Sequence, residues 1–436
     1  MQAASGAGLR RAVSRWQVVA LALNDVVGSG VYLLPAAAAA LLGFASLWAV
    51  ALAGLAVLLI VLCFAEASSR FDEPGGAYLY TRTAFGPLAG FEVGWMTWLA
   101  RVASVGSLSA GFADALSFLW PQAATPGAAR AVAITLPLLA LTLVNLVGVR
   151  SGALASVVLV LAKLAPLALF VGVGLFVASP ELAAAQPVLR EGGLGAAALL
   201  LLYAYAGFEN TPAPAGEYKS PRRDVPFALL VHIGLVTALY AAVQWVALGT
   251  VPQLGTSTTP LADAAQRFLG GWGGWALAVG GAVSILGTNG NTVLAGPRYL
   301  YALACDGFGP RFLARVHPRF RTPAAAILLQ TAIALPLALT GTFVGLAALS
   351  VVARLATYVG TAAAVPVLRR LGPGEAGFRL PGGPLIPAAA IALSLGLAAS
   401  ATPRNLAAAG VALLAGLGVY ALRRRDAATR RPPSDA

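Results

Sequence analysis

Charge is scarce in this sequence of 436 residues: 10% of positions are Asp, Glu, Lys or Arg, while Cys and His occur twice each. Each shortage excludes something. Cys63 sits in an apolar run and Cys305 near a loop, a pair that offers neither a disulfide framework nor a metal cluster, and His232 and His317 lie far apart without ligand spacing. No metal or cofactor is therefore expected. No nucleophile–base pair stands out either, so an enzyme is not expected. The net charge of +13 could point to nucleic acid, but no folded basic domain exists to carry it, and the positive residues fall in short loops.

What abounds is apolar surface: 59% of residues are hydrophobic and the mean hydropathy is +0.81, outside the usual range of a domain that folds in water. Stretches able to cross the hydrocarbon, which takes roughly 20 helical residues, recur near 16–43, 44–69, 88–118, 131–148, 152–178, 195–217, 226–250, 270–304, 322–342, 343–370, 384–401 and 404–422. The pattern predicts an all-α membrane protein of about 12 transmembrane helices. The first stretch follows Arg10, Arg11 and Arg15, contains Asp25 and lacks a small-residue cleavage site, so it reads as a span rather than a signal peptide. Counted over alternate loops, 22 of the 29 Lys and Arg residues fall on one side, from the N-terminus (1–15) through 70–82, Arg150, 219–223, 298–321 and 369–379 to the tail 423–436. Only Arg130, Arg190, Arg267 and Arg404 fall on the other side, and Arg101, Lys163 and Arg354 lie inside spans. The positive-inside rule then predicts both termini in the cytoplasm and a cell inner (plasma) membrane location, with lipids as partners.

Two spans are interrupted. The first reads Asn24-Asp25-Val26-Val27-Gly28-Ser29-Gly30-Val31-Tyr32-Leu33-Leu34-Pro35, and the sixth Tyr203-Ala204-Tyr205-Ala206-Gly207-Phe208-Glu209-Asn210-Thr211-Pro212-Ala213-Pro214. Hydrocarbon penalises freed backbone groups unless they face a ligand or a wet cavity, so both breaks point to one site. They stand five spans apart, at the start of two five-helix units, 16–178 and 195–370. Odd units take opposite orientations, the arrangement of inverted-repeat transporters, which leaves 384–422 as two accessory helices. Backbone N–H groups at Gly28, Ser29 and Gly30 can hold an anion at a half-helix start, while carbonyls that end the half-helix around Tyr203 to Ala206 suit an ammonium; together they describe a zwitterion. A plain packing face of small residues is the alternative for Gly-Ser-Gly.

The motifs Gly28 to Pro35, Pro74-Gly75-Gly76-Ala77-Tyr78-Leu79-Tyr80 with Phe85-Gly86 and Gly90-Phe91, Gly207-Phe208-Glu209 with Lys219 to Pro226, and Asp306-Gly307 with Arg321-Thr322-Pro323 together resemble an amino acid permease of the amino acid, polyamine and organocation transporter superfamily. The resemblance covers nearly the whole chain. It implies a leucine-transporter-like fold with discontinuous helices 1 and 6, alternating access, and an amino acid held between helices 1, 3, 6, 8 and 10. Carried over by position, it assigns the carboxylate to Ser29 and Gly30 beside Gly28, and the ammonium to carbonyls of Val26, Tyr203 and Ala206 beside Gly207. Tyr203 would cover the substrate as a gate. Side-chain selectivity would fall to Arg101, Val105, Asn291 and Ser350 by a looser alignment.

Asp25, Arg101, Lys163, Glu209 and Arg354 are each expensive inside a span, at least ~2.5–3.5 kcal/mol on insertion scales, unless paired or wet. Lys163 lies too deep to reach water by extending its side chain. By resemblance it takes the place of the lysine that stands in for a sodium ion between helices 1, 5 and 8 in proton-coupled members, which suggests the proton as coupling ion; a static pair with Asp25 is the alternative. Glu209 is expected at the start of a second half-helix, held there by the helix dipole. Arg101 either pairs with Glu209 or faces the substrate, biasing the site toward acidic or polar side chains. Arg354 has no assigned partner at this level. The segment after span 2 is expected to fold against the bundle as a gate. Exchange of amino acids or polyamines without net proton movement, and a non-transporting sensor or accessory subunit, are the competing readings.

Overall fold

The computed structural model describes residues 13–72, 75–148, 153–212, 215, 218–372 and 376–429, with the side chains of 153–162 and 424–429 outside the description. Arg10, Arg11, Pro74, Arg150, Ala213, Pro214 and the expected basic tail beyond Arg423 therefore lie outside the described residues or side chains. Among the described residues the architecture is helical, with a single isolated bridge between Val13 and Tyr218 as the extended pairing. Helices satisfy every internal N–H and C=O within one segment, which is why apolar sequence meant for lipid takes this form.

The elements are α1 (Arg15–Val26), α2 (Ser29–Leu42), α3 (Ser46–Ser68), α4 (Gly76–Phe85), α5 (Pro87–Leu116), α6 (Ala128–Val147), α7 (Ala153–Val177), α8 (Pro180–Ala184), α9 (Leu194–Tyr205), α10 (Pro221–Thr250), α11 (Pro260–Cys305), α12 (Ala324–Thr340), α13 (Phe343–Leu371), α14 (Leu385–Ala399) and α15 (Pro403–Thr429). Six helical stretches are long and apolar enough to cross a membrane by length and composition alone, and four shorter apolar helices accompany them. The molecule is a multi-pass membrane protein. Its outward faces are apolar: Leu136 and Leu143 on α6, Phe176 on α7, Trp272 and Trp275 on α11 and Leu414 on α15 are all exposed. On α6 only Ala133, Ile134, Leu138, Thr142 and Asn145 are buried, a stripe at helical spacing, and the rest of an apolar surface is left for lipid.

α5 stands at the centre, packed most heavily against α13 and α11. Its hydroxyls stitch it to both. Thr97 meets the Thr357 hydroxyl at 2.7 Å, Ser104 meets Ser350 at 2.8 Å, Ser107 donates to the Phe343 carbonyl at 2.9 Å, and Asn289 of α11 donates to Ser109 at 2.9 Å. Without water between helices, such small polar contacts and close backbone approach take over the role of hydrophobic burial.

The loops gather at two ends by charge. At the arginine-rich end Lys219 N donates to Val13 O at 3.0 Å, Arg222 pairs with Asp72 at 2.7 Å, and Arg82 with Asp306 at 3.0 Å. At the opposite end Asp114 and Arg130 pair at 2.7 Å around a depression that Arg190, Thr256 and Thr342 also line.

Two differences from the sequence expectation concern the backbone. Among the described residues the sixth span does not resume as an α-helix after its break: Phe208–Asn210 form a 3-10 turn, and the next described α-helix begins at Pro221. The segment 76–85 after span 2 is helical, lying against α5 and α13, where only a gate without assigned structure was expected.

Candidate functional site

The two breaks face each other. α1 stops at Val26, Val27 is extended (φ −72°, ψ 94°), and Gly28 (φ −136°, ψ −145°) turns the chain into α2. α9 stops at Tyr205, Ala206 is extended (φ −66°, ψ 138°), and Gly207 takes φ 132°. Two glycines make the juxtaposition possible. A Cβ on Gly30 would fall 2.5 Å from Ala204 Cα, and one on Gly207 would fall 2.6 Å from Asp25 O in a left-handed backbone that side chains disfavour.

The helix-end carbonyls that the first break frees find partners from three other helices. Lys163 Nζ of α7 donates to Asn24 O at 3.1 Å, the Tyr240 hydroxyl of α10 lies 3.3 Å from Val26 O, and Ser284 Oγ of α11 donates to Val27 O at 3.3 Å. Tyr240 also donates to Ala204 O of the second break at 2.8 Å, so one hydroxyl sits between both interruptions. Tyr32 of α2 donates to Lys163 O at 2.9 Å, and Lys163 Nζ reaches Thr288 Oγ1 of α11 at 3.3 Å. Lys163 thus bridges α1, α7 and α11 while only 1% exposed.

Between the breaks lies a small cavity of about 30 Å³, room on the scale of a water or two in this conformation. Asp25, Val26, Gly28, Ser29 and Gly30 line it from the first break, Tyr203, Ala206 and Gly207 from the second. Arg101, Ser104 and Leu108 of α5, Thr288 and Thr292 of α11 and Arg354 of α13 complete the wall. The first N–H groups of α2 have no side-chain cap, because Gly28 precedes them. Such a terminus attracts an anion. Val26 O and Tyr203 O each hold one hydrogen bond, the latter from Ala206 N at 3.1 Å, and a carbonyl has a second lone pair for a ligand donor.

The wall also carries a buried ionic cluster. Glu209, 4% exposed, accepts from Gly207 N at 2.9 Å, from Arg101 Nη2 at 3.4 Å and from Arg354 Nη1. Its charge is met by two arginines from two helices, and it lies in the 3-10 turn Phe208–Asn210 rather than in an α-helix. Arg101 also donates to Asn210 Oδ1, and Arg354 reaches Ser104 Oγ at 2.7 Å and Ser350 Oγ at 3.2 Å. Arg354, unassigned from sequence, is therefore the second cation of this cluster.

Three of the residues carried over by the looser alignment lie off the cavity wall. Val105, fully buried, packs with Trp98, Leu138 and Val293 in a separate apolar cluster. Ser350 is used up between Ser104, Arg354 and Ala100 O. Asn291 donates to Asp25 Oδ1 at 3.1 Å and so orients a wall residue without being one. Ser104, Leu108, Thr288 and Thr292 were missed. Helical spacing could have found 104 and 108, which share a face with Arg101 at i+3 and i+7, but it does not exclude 105 at i+4.

Aromatic contacts flank the cavity unequally. Toward the arginine-poor depression stands one aromatic contact, Tyr203 edge-on to Phe343 with centroids 5.9 Å apart, and Phe343 lines that depression. Toward the other end Phe208 stacks on Tyr358 at 5.4 Å and meets Phe64 at 5.5 Å, and beyond them Tyr78 of α4 donates to Asp306 beside the Arg82 pair.

Residues 13–411 match the profile of the amino acid permease family. The chain belongs to that family. Its members are transporters rather than enzymes. Among similar proteins is the serine/threonine exchanger SteT of Bacillus subtilis, 29% identical over 96% of this permease and 98% of its own length. An uncharacterized transporter of Mycobacterium tuberculosis is 30% identical over 97% and 93%, and the branched-chain amino acid permease BcaP of Bacillus subtilis 27% identical over 96% and 94%.

Proposed function

We propose that this permease is a secondary active transporter that carries an amino acid across the cytoplasmic membrane by alternating access. The observation behind the reading is the cavity that both broken spans line with the residues of their non-helical breaks. In this reading Ser29 and Gly30 N–H hold the carboxylate, and carbonyls of Val26, Tyr203 and Ala206 hold the ammonium. Tyr203 with Phe343 forms the thin gate on the arginine-poor side, and the layers from Phe208 to Asp306 form the thick one. About twelve spans in a five-plus-five inverted repeat of the leucine-transporter type (16–178 and 195–370), with 384–422 accessory, fit the helix boundaries, and the arginine-rich end faces the cytoplasm with both termini. Lys163, which ties α1 to α11 beside the first break, is the proton site: losing its charge weakens the hold on Asn24 O and frees the cytoplasmic half of the bundle. The names of similar proteins support amino acid cargo, and SteT, named an exchanger, supports exchange as the competing mode.

Uptake of labelled amino acids into proteoliposomes tests both levels. Accumulation that rises with an inward proton gradient is expected. Uptake that needs internal amino acid and ignores the gradient would replace coupling by exchange, and no uptake or counterflow of any amino acid or polyamine would remove the transport reading.

A further inference from the structure

The charges around the cavity do not balance. Arg101, Arg354 and Lys163 bring three formal positive charges, Glu209 and Asp25 two negative ones. Glu209 takes the two guanidiniums on Oε1 and Gly207 N on Oε2, and Asp25 Oδ1 is turned to Asn291. Each guanidinium has five N–H donors in a planar fork; Arg354 uses all three nitrogens, on Ser350, Glu209 and Ser104, whereas Arg101 reaches Glu209 and Asn210 both through Nη2. Arg101 shows the surplus directly: it is 4% exposed, lines the cavity, and its Nε has no hydrogen-bond partner. A donor of that kind, buried at a cavity wall, calls for an acceptor that the protein does not provide.

From this we infer, on the reading that the cavity is the amino acid site, that the cargo is an acidic amino acid whose side-chain carboxylate docks on Arg101 with Arg354 beside it. A neutral amino acid is a zwitterion of zero net charge and leaves the excess in place. A substrate with a second carboxylate cancels it, and supplies the planar acceptor pair that a guanidinium fork fits best. The wall agrees in chemistry. Ser104, Thr288 and Thr292 add hydroxyl donors, and Leu108 is its one large aliphatic member beside Val26. A cationic side chain would meet two arginines, and a branched apolar one would strand the Arg101 Nε donor.

The test uses the purified full chain and equilibrium binding of L-aspartate and L-glutamate against their isosteric amides, L-asparagine and L-glutamine, with L-serine and L-lysine alongside. The acids are expected to bind at least about tenfold more tightly than the amides, the scale of one charge-assisted contact. Arg101→Gln should bring acid and amide within about twofold of each other by weakening the acid alone. Amide or serine binding as tight as acid in the unmodified chain would overturn the acidic class while leaving the permease reading intact. Failure of every amino acid to bind would instead remove that reading. The unmodified chain decides the class without any variant, and an Arg101→Gln chain that kept the preference would overturn the role given to Arg101.

Discussion

Two glutamates in this permease are held in nearly the same way and do different things. Glu209 accepts from Arg101, Arg354 and Gly207 N; Glu66 accepts from Arg70 at 3.2 Å, from Arg369 at 2.7 and 2.6 Å, and from Leu380 N at 2.9 Å. Each arrangement is one buried carboxylate, two arginines and one backbone N–H, and α13 contributes to both through Arg354 and Arg369, roughly 22 Å apart along the helix. Around Glu66 the fork is bidentate, and the segment after α13 is tied down by Leu380 N and by Ser69 Oγ donating to Phe378 O at 3.0 Å. Each cluster leaves one guanidinium Nε without a partner, Arg70 beside Glu66 and Arg101 beside Glu209, but Arg101 and Arg354 line the cavity between the breaks. The same chemistry fastens the structure in one place and walls a cavity in the other.

The largest effects should come from breaking either cluster. Glu209→Ala strands two buried arginines and should cost about 3–5 kcal/mol of stability, read as a loss in thermal unfolding of detergent-solubilised protein; Glu66→Ala strands buried Arg70 and half-buried Arg369, which keeps its bond to Gly383 O, and should cost less. The comparison sharpens in binding. The less disruptive Glu66→Gln should keep the ligand profile, whereas Glu209→Gln should change it and lower uptake. If the two amide variants changed binding equally, the division of labour would be wrong.

Next in size are the glycines at the breaks. Gly207→Ala forces φ 132° on a side chain with 2.6 Å to Asp25 O, and should cost about 1–3 kcal/mol in backbone strain alone. Gly172→Ala, on α7 with open space around it, is the control: it should be neutral or stabilising by up to about 1 kcal/mol. Equal stability and uptake in both variants would show that the close approach of the two breaks is not needed.

Lys163→Gln should abolish stimulation of uptake by a proton gradient while leaving exchange measurable, which separates the coupling device from the ligand cradle. The smallest effect belongs to the latch at the arginine-rich end. Tyr78→Phe removes one hydroxyl from a partly exposed contact that Arg82 still maintains, and should cost less than about 1 kcal/mol. Burial, with the Asp306 carboxylate beside it, pushes the Tyr78 phenol up to about 12. A raised value means that the neutral form is favoured in the folded state, so the contribution is complete below the unfolded value of about 10 and is lost as pH rises toward 12. Unfolding followed from pH 7 to 10 should show no Tyr78-dependent change.

Much of the bundle was legible because lipid enforces a simple rule: the stretches expected at 88–118, 131–148 and 343–370 appear as α5, α6 and α13 within three residues at each end. The elements that escaped are those the rule does not govern. α4 mixes Tyr78, Thr81 and Arg82 with apolar residues and packs from one side, and α8 is a five-residue helix started by Ser179, which accepts from Leu182 N. The break in span 6 was legible as a break, but not the 3-10 turn after Gly207, where Glu209 is met by Arg101 and Arg354 from other helices, contacts that sequence spacing does not show. Glycines placed mid-span marked the cradle, since hydrocarbon tolerates them only for cause. Which face of α5, α11 and α13 closes the cradle depends on the rotation of each helix about its axis, and a rotation of one residue separates Ser104 from Val105.

The most direct test of the account is whether the two breaks recognise the backbone of an amino acid. Thermal unfolding of the purified permease would be followed with a tightly bound amino acid, its α-carboxamide and its des-amino acid, each at 100-fold its measured or limiting Kd for the parent. The account predicts stabilisation by the parent of about 2.7 kcal/mol, the mass-action value at that excess, and little by either analogue, because each lacks one of the groups that Ser29–Gly30 or the carbonyls of Val26, Tyr203 and Ala206 would hold. Equal stabilisation by all three would contradict it.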